Sequence, residues 1–407
     1  MRLHTTFAIV IGICLLAAAA SAMTGYTNRA LFDSAIAGYT QHTVTNFDAQ
    51  ADGSSAASYG SLSISASGLA SDGSTPIVLP PIATASHLAA SAPNSLGVFG
   101  EDHEFLAGNG DRITFNFSVP VHAFGAYLIG NPTPTGSPPI PFWRMQVSGF
   151  DAYSATDPLY SLDTGNDVYF LGIVSADQPF STVTLCSDND PNAVFSFNAD
   201  DLVYATLPDE ISLLQAKSMS SGYVRVKAIV TRVHSDRFNI ELADRSMGIM
   251  VRGTGAVRGE ATTLLGNLMD NGNGERCIEL TQIIARTRDT PPTPLAMGSR
   301  AVGGSNTVGL QIGVPGSCGP NNVGLDAQVW GRVTAIAPDY SWVTIDDGAG
   351  RPLIPGVTGV VLLGKDVGAR RWIGQYLVAR GSVTLVDYET THLPAIRVAA
   401  PEDIWSP

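Results

Sequence analysis

Basic residues are nearly missing from the first half of this chain. Residues 23–207 hold three (Arg29, Arg112, Arg144) against seventeen acidic ones, whereas residues 208–407 carry nineteen of each, a balance of −14 against zero. Nucleic acid draws most of its non-specific affinity from Lys and Arg, so a chain of formal net charge −13 is a poor partner for it. Cysteine is scarce: there are four, and Cys14 falls in an N-terminal apolar run. The odd remainder (Cys186, Cys277, Cys318) excludes a scaffold stapled wholly by disulfides, and its spacings match no zinc motif. Long apolar runs are missing too. The run at residues 7–20 covers only ~21 Å as a helix, short of the ~30 Å hydrocarbon core, and no later 18-residue window is free of charge, Gly and Pro. Gly-x-Ser-x-Gly, His-Glu-x-x-His and phosphate-loop motifs are absent, so no catalytic motif is on view and a non-enzyme is the expectation.

What is present begins with Met1-Arg2-Leu3-His4, the apolar run and Ala20-Ser21-Ala22, the three parts of a secretory signal cleaved after Ala22. The expectation is export, to the periplasm, the cell surface or the medium, with no further span and no visible C-terminal anchor. Gly 42 and Pro 25, with abundant Ser, Thr and Val and few Lys or Glu, suit short strands and many turns. The class is mostly β. The charge break near residue 207 marks two modules with separate surfaces to solvate.

In the acidic module, Ser61-Leu62-Ser63-Ile64-Ser65 and Arg112-Ile113-Thr114-Phe115-Asn116-Phe117-Ser118 alternate with period two, as half-buried strands do. Pro120 is expected to end the second, and the apolar run from Val121 to Ile129 to form a strand covered on both faces. Two stacked sheets follow. In order and spacing, Ile113-Thr114-Phe115-Asn116-Phe117-Ser118-Val119-Pro120-Val121-His122-Ala123-Phe124-Gly125, Tyr169-Phe170-Leu171-Gly172-Ile173 and Phe197-Asn198-Ala199-Asp200-Asp201-Leu202-Val203-Tyr204 resemble the exported β-sandwich modules of PEP-CTERM-type bacterial surface proteins, over most of residues 40–205. The resemblance implies a jelly-roll-like, carbohydrate-binding-like sandwich; the chain departs from that group in lacking its C-terminal sorting tail.

Three groups in this module bear on chemistry. Phe142-Trp143-Arg144, with Tyr153 and Tyr160, is either a flat platform for a sugar ring or core packing. Asp48, near the first strand, meets Asp200 and Asp201, near the last, if the terminal strands pair; the trio is then a structural calcium site, the alternative being turn carboxylates bonded to backbone amides. Glu101-Asp102-His103-Glu104 reads as a solvated loop, because consecutive side chains diverge. A sandwich hydrolase or lyase is the rival class, and its acids would be sought beside Trp143, at Glu101 or Asp102.

The neutral half contains an internal repeat. Val226-Lys227-Ala228-Ile229-Val230-Thr231 is echoed 103 residues later by Val329-Trp330-Gly331-Arg332-Val333-Thr334, and Gly259 and Gly266 match Gly374 and Gly381. A long strand, an aromatic hairpin, a glycine turn and two further strands resemble an oligonucleotide/oligosaccharide-binding (OB) barrel, and the pair resembles tandem barrels of uncharacterised bacterial secreted proteins. Phe238 and Trp342, on second strands, read as core rather than platform, and the basic residues are single apart from Arg370-Arg371. Cys277 and Cys318 are the pair placed to form a disulfide, from the first barrel's late strand to the linker. The expected plan is a signal peptide (1–22), a sandwich (23–207), a barrel (208–300), a Gly/Pro/Asn-rich linker (301–322) and a second barrel (323–407). The expected role is a secreted, non-catalytic protein that binds glycan or a cell-envelope component, the alternative being a surface-assembly protein with no small ligand.

Overall fold

The structure is a computed structural model that describes residues 23–406 except 45–46, 70–74, 86–88, 100–102, 108–109, 133–139, 177, 188–194 and 390. The leader at 1–22, with Cys14, and the acids Glu101 and Asp102 lie outside the described residues. The chain forms two compact units, one of Met1–Ala37 and Gln41–Thr206, the other of Gly38–Thr40 and Leu207–Pro407. The division after Thr206 coincides with the charge break in the sequence.

The protein is mostly β, as its composition requires. In the first unit two antiparallel sheets share one core, which Phe115 on one sheet and Phe124 on the other join with ring centroids 4.5 Å apart. Strand Leu62–Leu69 alternates strictly between buried and exposed, so Leu62, Ile64 and Ala66 enter the core while the serines face water. Strands Ala123–Gly130 and Asp167–Ser175 are instead buried along almost their whole length. Helix Arg29–Ala35 packs on the strand Asp167–Ser175, capped by the Asn28 side chain accepting from Leu31 N at 3.1 Å. Its Phe32 takes the space a side chain on Gly172 would need, since a Cβ there would lie 2.7 Å from the ring. Pro120 does not end its strand, which runs Arg112–Val121. The pairing with Phe180–Cys186 slips between Phe180 and Thr182, so the missing proline N–H falls where the ladder is already interrupted.

The second unit holds two five-stranded barrels. The first closes from Gly222–Val233, Arg237–Glu241, Gly248–Arg252, Glu260–Asp270 and Arg276–Arg288, its third and fifth strands parallel and its fourth returning to the first. The second repeats that order with Asp326–Ile336, Trp342–Asp346, Val360–Leu363, Tyr376–Tyr388 and Thr391–Arg397. A small hairpin, Pro352–Ile354 with Val357–Thr358, is inserted between its second and third strands. Helix Leu213–Ser218 enters the unit through a capping box of Ser212 and Gln215.

Residues 301–322 are not a free linker. Val302 and Val314 are core residues of the second barrel, and Gln311 Oε1 accepts from Arg276 N of the first at 2.8 Å. Four of the segment's six glycines (Gly303, Gly304, Gly309 and Gly313) serve tight packing: Gly304 has φ 64°, and a Cβ there would strike the Pro320 carbonyl.

Candidate functional site

The structure separates the aromatics of the expected sandwich platform. Trp143 is 0% exposed and packs in the core against Tyr169 and Phe195, with centroids 5.0 and 5.3 Å away. Burial of so large an apolar ring outweighs its use as a surface, so Trp143 is a core residue. Tyr153 and Tyr160 are 43% and 45% exposed but lie on different sheets, opposite Arg144 and Val168, and make no common plane with it.

The three aspartates do come together. Strand Thr40–Val44 pairs with Ser196–Thr206, which brings Asp48 to Asp200 and Asp201. Ser91 Oγ lies 3.2, 3.4 and 3.1 Å from carboxylate oxygens of Asp48, Asp200 and Asp201, and one hydroxyl hydrogen serves only one of them at a time. Asp200 also accepts from the amides of Ala90 and Ser91, at 2.8 Å each, and from its neighbour Asp201. Burial pushes its carboxyl up to about 7, with the Asp201 charge adding to the rise. The trio gathers round a hydroxyl, and among the described residues no group of three or more His, Cys, Asp or Glu side chains is arranged to hold a metal ion.

No disulfide joins Cys277 to Cys318: both are free thiols, Cys277 buried and Cys318 exposed. Cys277 is held inside the first barrel by its pairing with Met250 and Met269, and burial pushes its thiol up to about 11.

The two barrels have lost the equivalence that their sequences share. In five-stranded barrels of this kind, ligands lie on the outer face of strands two and three. In the first barrel that face is covered by the second. Asn239 Nδ2 donates to Gly324 O at 3.2 Å, Asn239 Oδ1 accepts from Ser382 Oγ at 2.7 Å, and a Cβ on Gly248 would lie 2.6 Å from Gly324 O. Around this contact Arg232 donates to Asp326 (2.8 Å from Nη2) and to Asp403 (2.6 Å from Nη1), and Lys217 Nζ donates to Val323 O at 2.7 Å. Phe238 points inward into the first barrel's core.

In the second barrel the same face meets that barrel's own inserted hairpin instead, and a cavity is left between them. Trp342 and Thr344 of strand two and Val361 and Leu363 of strand three line this cavity of about 230 Å³, roofed by Leu353, Ile354 and Val357 of the inserted hairpin. Its edge is polar. Tyr388 and Asp387 line it, and Asp387 Oδ1 lies 2.7 Å from His392 Nδ1 across the closing hairpin. The volume suits a single ring, being below the ~300–1,000 Å³ of clefts for drug-sized ligands. The lining thus offers an indole wall, a phenol that donates and accepts, and a carboxylate that accepts hydrogen bonds.

Trp342 is where inference from sequence went astray, because second-strand aromatics of both copies look alike on the page. Alternation relative to Val343 and Ile345, both core, places Trp342 on the outer face, whereas Phe238 shares the inner phase with Ile240. That phase difference was the available signal. Asp387 and Tyr388 carried none, since only the hairpin Tyr388–Thr391 folds them back to strand two.

Comparison with protein-family models and with curated proteins finds no match to this chain.

Proposed function

We propose that this chain is an exported, non-catalytic glycan-binding protein whose recognition site is the outer face of the second barrel. The observation that carries the reading is the Trp342 cavity, since it is ring-sized, apolar on its walls and bordered by Asp387 and Tyr388. Glycan-array screening of the full mature chain, followed by titration of a retained glycan, tests it. Trp342→Ala is expected to weaken binding by about 10–100-fold, as removal of a central aromatic anchor does. Silence on the array, equal binding by the variant, or release of reducing ends from a polysaccharide by the intact protein would overturn the reading, the last in favour of an enzyme.

The aspartate cluster supports a second, separate role for calcium in the sandwich. Backbone amides of Ala90, Ser91 and Asn94 already serve Asp200 and Asp48, and calcium beside the Ser91 hydroxyl would offset the charge that remains on the three carboxylates.

A further inference from the structure

Beside the Trp342 cavity the second barrel opens a cleft of about 700 Å³, lined by Lys365, Asp366, Arg370 and Arg371 and floored by Val398 and Ile404. Leu363 lines the apolar cavity and Gly364, the next residue, lines the cleft. Among the described residues none of the three cations forms an ion pair with a carboxylate, and the buried Arg371 Nε has no hydrogen-bond partner. The comparable cleft of the first barrel leaves one such cation, Arg288, without an ion pair among the described residues, and engages the other two. Its Arg286 reaches Glu260 at 3.4 Å and the Gly255 carbonyl at 2.6 Å, and its Arg258 donates to Thr231 O, so those cations are already engaged. In the second barrel's cleft Asp366 and Arg370 also hold left-handed backbone conformations (φ 54° and 60°), which non-glycine residues keep only where surrounding structure holds them there.

We propose that this cleft receives the carboxylate of an acidic glycan, a uronate, while a neighbouring ring of the same chain sits on Trp342. The inference rests on the glycan reading above and names its substrate class. Guanidinium forks match carboxylate geometry, and three unpaired cations in a protein of net charge −13 mark a local exception. The exception is small. Asp366 shares the cleft, Asp387 borders the cavity, and Asp339 lies on the loop whose Tyr340 and Ser341 carbonyls accept from Gly368 and Gly364. A heavily sulfated glycan, with two or more charges per sugar, meets those carboxylates, whereas a polymer with one charge per sugar does not need to, and single-stranded DNA differs from the latter in offering phosphates in place of carboxylates.

The test is calorimetric titration of the full mature chain with polygalacturonate, its methyl-esterified neutral counterpart, dextran sulfate and single-stranded DNA. Polygalacturonate is expected to bind at least tenfold more tightly than the neutral polymer, with the advantage shrinking as salt rises. The double variant Lys365→Gln, Arg370→Gln is expected to erase that advantage and leave neutral binding intact, which also shows the variant to be folded; Trp342→Ala lowers both. Equal binding of esterified and free polymer, or an advantage untouched by the double variant, overturns the uronate inference while the glycan reading stands. Tighter binding of DNA or dextran sulfate overturns it in favour of a general polyanion site. Binding of no glycan overturns both.

Discussion

Two buried side chains give the barrel pair opposite responses to pH. Glu241 is pushed up to about 8, chiefly by burial and further by the Asp326 charge, against an ordinary value of ~4.3. Between those values the native state holds a proton that the unfolded chain has released, so this group's contribution to stability falls as pH rises through the window. His234 is held down to about 4, chiefly by burial and then by Arg397, Arg232 and Arg237, against an ordinary ~6.5. There the unfolded chain binds the extra proton, and the contribution is full above ~6.5 and lost as pH falls toward 4. Glu241→Gln is therefore expected to flatten the decline in stability between pH ~6.5 and 8, read from urea denaturation at a series of pH values. His234→Gln should leave that window alone and flatten the one below ~6.5. A Glu241→Gln profile parallel to that of the parent would remove the carboxyl from the account.

At the scale of elements, one strand order appears twice with two uses. The first barrel spends its outer strand-two and strand-three face on the contact with the second, and the second sets its own face against its inserted hairpin, with the Trp342 cavity between them. Holding the contact are polar groups that leave water entirely or nearly so: Arg232 with Asp326 and Asp403, Lys217 on Val323 O, and Glu275 accepting from Thr384 Oγ1 at 2.5 Å. Such a contact is demanding, because a charge left without its partner stays buried. Arg232→Ala is expected to destabilise the barrel pair by about 3–5 kcal/mol, since it strands Asp326. The pair should still melt in one transition, at lower temperature, because both barrels share the residues that link them. Calorimetry showing the transition split in two, or unmoved, would contradict this account of the contact.

For the whole molecule the decisive asymmetry is electrostatic. Residues 23–207 have almost no Lys or Arg with which to neutralise seventeen carboxylates, and the structure draws three of these to one hydroxyl. A proton on Asp200, whose carboxyl is pushed up to about 7, relieves part of that charge, and in the calcium role proposed above a cation offsets the rest. Millimolar calcium is thus expected to raise the melting temperature of the first unit's transition above its value in chelator, by mass action on the native state, with magnesium doing less because it gives up its water reluctantly. Asp201→Ala should abolish the difference, and equal melting in calcium and chelator would leave the aspartates as turn residues, Asp200 bonded to the Ala90 and Ser91 amides, Asp48 to that of Asn94 and Asp201 to the Ser91 hydroxyl. The second unit, with its charges balanced, should not respond.

The sequence by itself determined the class and the division of the chain. Period-two runs such as Leu62–Leu69 dictate half-buried strands because alternate side chains face opposite sides, and charge composition shifts at the boundary the fold uses. It also raised a meeting of Asp48 with Asp200 and Asp201 on the condition that the terminal strands pair; the structure brings them together through the second strand, Thr40–Val44, while the first pairs with Asp167–Ser175. Tertiary structure alone decided what each surface is for. Trp143 and Trp342 are both single aromatics beside polar neighbours in the sequence, yet one is enclosed by Tyr169 and Phe195 and the other borders a cavity. The composition of residues 301–322 spoke for slack, and Val302 and Val314, buried in the second barrel, made it structure. Cys277 and Cys318, plausible partners by spacing, ended on opposite sides of the burial boundary. Burial and cross-chain proximity depend on which faces meet, and local periodicity carries no information about the meeting.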